Sequence, residues 1–167
     1  MPDTEQISEA LRQIDLFDGL PDEDLQKYAG LMQVEDRKKD EFLIVEGQKG
    51  NHIYIILSGE LEVSVYLSPQ NEMKRVAKIG GGHVLGELAL LGMERRSASV
   101  RVLRDCRYLS VGADAISALF VDDQALGFRF MTRLASILAG RMVSTTKSLS
   151  NAWYAVSLSG GMGDRSA

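Results

Sequence analysis

The sequence is poor in the residues that build disulfide frameworks, metal centres and membrane spans. One cysteine, Cys106, among 167 residues excludes an intramolecular disulfide and a multi-cysteine metal site. Two histidines, His52 and His83, are too few and too far apart for an enzyme whose metal is held by several histidines at close spacing. No run approaches the ~20 apolar residues of a membrane span, and the N terminus lacks the features of a signal peptide. We therefore expect a cytoplasmic protein without a metal site.

Positive charge is also scarce. The chain has 19 lysines and arginines against 23 acidic residues, for a net charge of −4. Because an acidic surface does not attract nucleic acids or anionic membranes, we expect neither as a partner. Cys106 has no evident base to activate it, and no other nucleophile–base pair is recognisable. We therefore expect a protein that is not an enzyme, has no catalytic residues and uses no cofactor.

Hydrophobic periodicity divides the chain into helices, then strands, then helices. Residues 1–15 predict an N-terminal helix, and a second helix begins near Pro21, a residue that suits the first helical turn. Short β-branched and aromatic runs within 16–120 predict a small β-roll, with the fold mainly β in an α+β arrangement. Helical spacing returns over 121–156 and predicts a long C-terminal helix. The Gly/Ser-rich tail 157–167 is expected to be disordered.

The segment 82–100 combines features that suit a nucleotide. Gly86 allows a sharp turn and the close approach of a ligand. Residues 87–91 are good helix formers, and Gly92 can end a helix of one or two turns. The start of a helix exposes unpaired N–H groups, which favour a phosphate.

Two kinds of charged side chain complete this pattern. Arg95 and Arg96 offer a guanidinium for an anion. Glu87 only accepts hydrogen bonds when ionised, so it suits a sugar hydroxyl. The alternative is a turn, a surface helix and two solvated arginines, and the spacing leaves both interpretations open.

The sequence GELALL at 86–91, followed by RSASV at 96–100, resembles the phosphate-binding cassette of cyclic nucleotide-binding domains. Residues 46–63 are similar to the strand–turn–strand entry of the same family, and the resemblance covers about 15–150. This family includes the ligand-binding domains of the bacterial catabolite activator protein and of the regulatory subunits of cAMP-dependent protein kinase. The resemblance implies an eight-stranded, jelly-roll-like β-roll (a double-stranded β-helix) with N-terminal helices and a long C-terminal helix.

The resemblance also implies a role for individual residues. Glu87 would accept from the ribose 2′-hydroxyl, and Arg96 would pair with the cyclic phosphate. Ser97 would donate to that phosphate or to a syn guanine. The other positions implied at the ligand are Gly86, Leu88, Ala89 and Ala98 in the cassette and Val63, Val76 and Ala77 on the strands.

The long helix resembles the dimer helix of the catabolite activator protein. Thr145 and Thr146 occupy the positions of two hydroxyl residues that reach the adenine there, one of them from the partner subunit. This favours cAMP over cGMP, although threonines on a helix often bond only their own backbone. The apolar seam of the helix predicts a homodimer, and packing of the helix on the β-roll is the alternative.

These features lead to one functional hypothesis and two alternatives. The hypothesis is a stand-alone sensor of a cyclic mononucleotide, cAMP or else cGMP, that rearranges its C-terminal helices to signal to a separate protein. No helix-turn-helix, inhibitory segment or tandem second site is recognisable. The alternatives are a structural dimerisation module without ligand and a receptor for a cyclic dinucleotide. Retention of both Glu87 and Arg96 argues against the first alternative.

Overall fold

Two helices open the described part of the chain, which covers residues 3–67 and 72–160 of the computed structural model. Helix α1 spans Thr4–Arg12, and the Asp3 carboxylate caps it by accepting from the Gln6 N–H at 2.9 Å. A single 3-10 turn at Asp15–Phe17 leads to α2, Asp22–Ala29. The helix predicted near Pro21 is confirmed, with its first turn acidic as the helix dipole favours.

The sheet contains six strands in the described residues. They are β1 Gln33–Arg37, β2 Phe42–Ile44, β3 His52–Leu67, β4 Glu72–Gly80, β5 Val84–Leu85 and β6 Ser99–Gly112. All pairings are antiparallel and run in the order β1-β6-β3-β4, with β2 also paired to β6 and β5 to β3. This architecture confirms the mainly β, jelly-roll-like domain with helices before and after it.

The part of the chain that the structure describes has six strands, and the expected eight are not confirmed. The apolar runs 53–57 and 61–66 are separated by Ser58, Gly59 and Glu60, a pattern that predicts two strands, but both runs belong to the 16-residue strand β3. Register shifts on both sides of Ser58 bend β3 without ending its pairing with β6. Gly59 has a φ of +112°, and a Cβ there would lie 2.7 Å from the Cα of Cys106. Glycine thus permits a bend at which the two strands stay in contact.

The interior of the roll is apolar. Its main cluster consists of Leu43, Ile44, Ile56, Leu61, Val100, Val102, Cys106 and Tyr108. Cys106 is buried, and burial raises the pKa of its thiol to about 11. It is therefore an unreactive thiol at neutral pH and a small core residue.

Two helices follow the sheet. Helix α3 spans Ala113–Asp122 and α4 spans Gln124–Gly160. Between them Asp123 leaves the helical conformation and accepts from the N–H of Leu126 at 3.0 Å, so it caps α4. Helix α4 includes 157–160, the start of the expected disordered tail, whereas 161–167 lie outside the described residues. No helix in the described part of the chain is long and apolar enough to cross a membrane.

Contacts divide the chain into two units, Met1–Arg129 and Phe130–Ala167. Within the first unit, ion pairs attach α2 to the start of α4. The carboxylate of Asp24 is 1% exposed and accepts two hydrogen bonds from Arg129, one of them at 3.0 Å. Lys27 donates to Asp123 at 2.7 Å. The junction of α3 and α4 is therefore tied to α2 by two charge-assisted hydrogen bonding pairs.

Candidate functional site

The segment that the sequence singled out forms a turn, a short helix and a second turn. Gly86 follows β5 with a φ of +74° in the left-handed region that glycine favours. A 3-10 helix spans Glu87–Leu91, and Gly92 ends it with a φ of +80°. The predicted helix between two glycine turns is therefore confirmed as a tighter 3-10 helix. The Glu87 side chain at its start is only 7% exposed.

The loop before β3 fixes the backbone of Arg96. The Arg96 N–H donates to the carbonyl oxygen of Gln48 at 2.9 Å, and its own carbonyl accepts from the N–H of Gly47 at 2.9 Å. The guanidinium then reaches the start of β3, where Nη2 donates to the carbonyl oxygen of His52 at 2.8 Å. Both ends of the residue are thus held by the 47–52 segment.

Two glycines leave room for this guanidinium. A Cβ on Gly50 would lie 2.6 Å from Nε of Arg96, and a Cβ on Gly86 would lie 2.5 Å from its Nη1. The second Cβ would also lie 2.5 Å from the His52 carbonyl oxygen. Distances this short are not tolerated by real side chains, so the arginine packs directly against two backbones.

The neighbouring Arg95 has a different task. Its Nη1 donates to the carbonyl oxygen of Gly47 at 2.7 Å, which holds the 47–50 loop. The structure therefore separates the two arginines that the spacing left equivalent. Arg96 lies against Gly86 of the cassette, whereas Arg95 supports the loop that surrounds it.

Tyr54 is a site residue that the sequence analysis missed. The Cζ atom of Arg96 lies 5.7 Å from the centroid of the Tyr54 ring, within the range of a cation–π interaction. His52 stacks on the same tyrosine with ring centroids 6.4 Å apart. The signal available was the two-residue spacing of His52 and Tyr54, which places both on one face of a strand.

The predicted strand residues have different surroundings. Val63 pairs with Ala77 on β4 and with Val100 on β6, so Val63 and Ala77 are direct neighbours. The register shifts between Val63 and Ser64, and this leaves Val76 outside the paired positions with 62% of its surface exposed. Val63 and Ala77 lie side by side, Val76 is a bulge residue, and a role for these three residues at the base stays a prediction.

The remaining predicted residues divide between the two units. Leu88, Ala89 and Ala98 are half-buried and Ser97 is exposed. Thr145 and Thr146 are exposed on α4 in the second unit. Their hydroxyls donate to the carbonyl oxygens of Arg141 and Met142 at 2.9 and 3.0 Å. This is the backbone bonding that helical threonines often make.

Chemically, the first unit offers a positive group for an anion beside a buried acceptor. Arg96 supplies a planar fork of N–H donors, and Glu87 lies in the short helix that begins at Gly86. Among the described residues, no group of three or more histidine, cysteine or acidic side chains could hold a metal ion. The arrangement suits binding of a small molecule that carries both an anion and a hydroxyl.

Comparisons with known proteins agree with this geometry. The family model described as "Cyclic nucleotide-binding domain" matches residues 34–123. A cyclic nucleotide-binding domain from Methylobacillus flagellatus has a similar structure, with a TM-score of 0.76, 26% identity and coverage of 87% of this chain and 81% of that one. The Thermus thermophilus catabolite activator protein shares the fold, with a TM-score of 0.72, 24% identity and coverage of 84% and 63%.

A longer protein matches over part of its length. The cGMP-dependent protein kinase egl-4 of Caenorhabditis elegans is 27% identical over 95 residues. The match covers 57% of this chain and 12% of the kinase. The chain is thus similar to a small part of that protein.

Proposed function

The chain belongs to the cyclic nucleotide-binding domain family, and from this premise we propose that it is a sensor of cAMP and not an enzyme. The observation that carries the proposal is the position of Arg96. Its guanidinium packs against the backbones of Gly50 and Gly86 and uses one N–H on the His52 carbonyl. Of its five N–H donors, others can pair with a cyclic phosphate.

Residues near Arg96 in the fold offer partners for the sugar and the base. We assign the ribose 2′-hydroxyl to Glu87, whose carboxylate is buried at the start of the 3-10 helix. Val63 and Ala77 are adjacent on neighbouring strands and offer an apolar surface to the base. Ser97, next to Arg96, offers a hydroxyl to the phosphate. Each group of a cyclic mononucleotide therefore has a partner of matching chemistry.

The choice of base has two candidates. Thr145 and Thr146 of α4 resemble the adenine-binding hydroxyl pair of the dimer helix, and for this reason we propose cAMP. The second candidate is cGMP, which the name of the egl-4 kinase and the exposed hydroxyl of Ser97 favour. Replacement of Thr145 and Thr146 by alanine would weaken cAMP binding in the first case and leave cGMP binding unchanged in the second.

We propose that the signal leaves the site through α3. This helix packs against the 3-10 helix of the cassette. Its first N–H, from Ala113, donates to the Asn51 carbonyl at 2.6 Å, and the Asn51 side chain donates to Asp114 at 2.9 Å. Asn51 is the residue before His52, which holds Arg96. A ligand that draws Arg96 towards its phosphate would therefore shift the population of α3 positions and act on a separate protein partner.

The exposed face of α4 supports a homodimer. Met142, Leu149 and Trp153 are 72%, 60% and 74% exposed, and spacings of seven and four residues place them on one side of a helix. Apolar side chains in such a row are typical of a helix that pairs with another helix. Light scattering at tens of micromolar would give twice the chain mass of 18.4 kDa if the proposal is right. A mass of one chain, with and without nucleotide, would contradict it.

The ligand is tested by thermal unfolding with cAMP, cGMP, cyclic-di-GMP and 5′-AMP at about 1 mM each. A ligand at 100 times its Kd adds about 2.7 kcal/mol of stability, which corresponds to several degrees in Tm for a chain of this size. A shift with cAMP alone would support the proposal, and a shift with cGMP alone would favour the second candidate. A shift with cyclic-di-GMP alone would contradict the proposal and favour a receptor for a cyclic dinucleotide. No shift with any compound would favour a structural dimerisation module.

A further inference from the structure

We propose that Tyr54 is a positioning residue that holds the guanidinium of Arg96 in its anion-binding orientation, an inference that rests on the proposed function. The guanidinium carbon lies 5.7 Å from the centre of the Tyr54 ring. A cation at this distance from an aromatic ring is attracted by the negative face of the ring. The contact joins β3 to the arginine of the cassette.

Backbone atoms restrain the guanidinium on other sides. The His52 carbonyl accepts from Nη2 at 2.8 Å, and the guanidinium packs so closely on Gly50 and Gly86 that an added Cβ would lie 2.6 and 2.5 Å from its atoms. A hydrogen bond to one carbonyl leaves an arginine free to rotate about that bond. The Tyr54 ring, two residues from His52, adds an attractive surface within 5.7 Å of the guanidinium carbon, and this second contact restricts the rotation.

Tyr54 is itself held in place. Its backbone lies in the middle of the sheet, paired with Leu85 of β5 and with Ser110 of β6. Its ring meets the ring of Tyr108 edge to face, with centroids 5.6 Å apart and planes at 79°. This packing restricts movement of the Tyr54 ring, so the ring provides a rigid surface for Arg96.

Hydrogen bonds connect the Tyr54–Tyr108 ring pair to β1. The hydroxyl of Tyr108 donates to Oε2 of Glu35 at 3.0 Å and accepts from Nη2 of Arg37 at 3.2 Å. Burial raises the pKa of Tyr108, so its hydroxyl remains protonated and keeps donating. Arg96 thus rests on an aromatic pair that is anchored at its far end.

A guanidinium ordered before the ligand arrives improves affinity, because less rotamer freedom is lost on binding. Titration calorimetry with cAMP, and with cGMP if cAMP does not bind, tests this effect. Tyr54→Phe keeps the ring and should bind within about twofold of the parent chain. Tyr54→Ile introduces a residue that also favours strands but removes the ring, and it should bind about three- to thirtyfold more weakly. Equal affinities for the Phe and Ile variants would overturn the proposal.

A double-mutant cycle separates positioning from a general loss of structure. Tyr54→Ile, Arg96→Ala and the double variant are unfolded in urea without ligand. The contact predicts a coupling of about two- to fivefold in the unfolding equilibrium constant, whereas additive effects would overturn it. The cycle needs no nucleotide. If the parent chain binds neither cAMP nor cGMP, the proposed function fails. The cycle still decides whether Tyr54 and Arg96 interact.

A third measurement does not depend on removing the ring. In the folded parent chain and in Tyr54→Phe, the aromatic ring current should move the Nε–H resonance of Arg96 away from its random-coil position. An NMR spectrum that shows this resonance at the random-coil position in both proteins would contradict the contact. This result would count against the proposal even if Tyr54→Ile failed to fold.

Discussion

Arg96 and His52, 44 positions apart in the chain, are joined by a hydrogen bond of 2.8 Å from the guanidinium Nη2 to the backbone carbonyl oxygen. The residue before His52 is Asn51, whose carbonyl accepts from the first N–H of α3 at 2.6 Å. Two consecutive residues, Asn51 and His52, therefore hold the helix that follows the sheet and the guanidinium of Arg96. Movement of one attachment can be transmitted to the other through one residue, His52, which joins the two peptide units.

Replacement of Arg96 by alanine should abolish most of the affinity for a cyclic nucleotide. Loss of the charge partner of a bound phosphate lowers the affinity about 30-fold to several-thousand-fold. Titration calorimetry measures the change. Arg101→Ala is the matched control, because Arg101 binds the exposed Asp40 at 2.8 Å and its loss should leave affinity within about twofold. Equal affinities for the two variants would remove Arg96 from the site.

Alanine variants of Gly86 and Gly92, two glycines with left-handed backbone conformation, distinguish the effect of backbone strain from that of crowding at the site. Gly86→Ala and Gly92→Ala both place a Cβ at a φ near +75 to +80°, which costs about 1 kcal/mol or more of folding stability. Only the Cβ on Gly86 meets Arg96 and the His52 carbonyl, whereas Gly92 has nothing within 4 Å. Urea unfolding should therefore show a larger loss for Gly86→Ala.

Affinity should distinguish the same two variants more sharply. Gly86→Ala should weaken nucleotide binding by at least about tenfold, because Arg96 must move away from its position. Gly92→Ala should bind within about threefold of the parent chain. Unchanged affinity for Gly86→Ala in a folded variant would show that the close packing of Arg96 on the cassette is unimportant for binding.

The ion pair between α2 and α4 should respond unequally to loss of its two members. Arg129→Ala leaves the buried carboxylate of Asp24 with the more distant Lys27 ammonium, at 3.8 Å, so Tm should fall clearly. Asp24→Asn keeps the shape and a hydrogen-bond acceptor, and it should lower Tm less.

Calorimetric melting measures this difference. Arg12→Ala is the control, since it removes an exposed ion pair with Asp22 and should change Tm little. If Asp24→Asn lowered Tm more than Arg129→Ala, the burial of an unpaired carboxylate would not be the dominant cost.

Stability on the acid side should depend on Asp123. The Lys27 ammonium donates to this carboxylate and lowers its pKa below the ordinary value of 3.8, and the N–H of Leu126 acts in the same direction. Folding therefore favours the ionised form. This contribution is present above pH 3.8 and is lost as the pH falls from 3.8 through the lowered pKa.

Asp123→Asn should reduce stability at neutral pH and flatten the decline at low pH. Urea unfolding at steps from about pH 6 to pH 2 measures both effects. Lys27→Met should produce a similar flattening, because it removes the cation that lowers the pKa. Curves for Asp123→Asn and the parent chain that run parallel over the whole range would contradict this account.

The sequence by itself determined the local features of this protein. Short β-branched and aromatic runs predict the strands, Pro21 and the acids after it predict α2, and two glycines around 87–91 predict the short helix of the cassette. These features depend on neighbours within a few positions, since glycine conformation, capping and side-chain alternation are local properties. For the same reason the order of helices, sheet and helices was predictable.

Only the tertiary structure decided how distant parts meet. It joins segments that looked like separate strands into β3, because Gly59 lets the chain bend while it stays paired with β6. It assigns Arg96 to the cassette and Arg95 to the loop, and it places Tyr54 beside Arg96. Contacts between residues more than 40 positions apart depend on strand register and side-chain direction, and no local pattern in a single sequence specifies these.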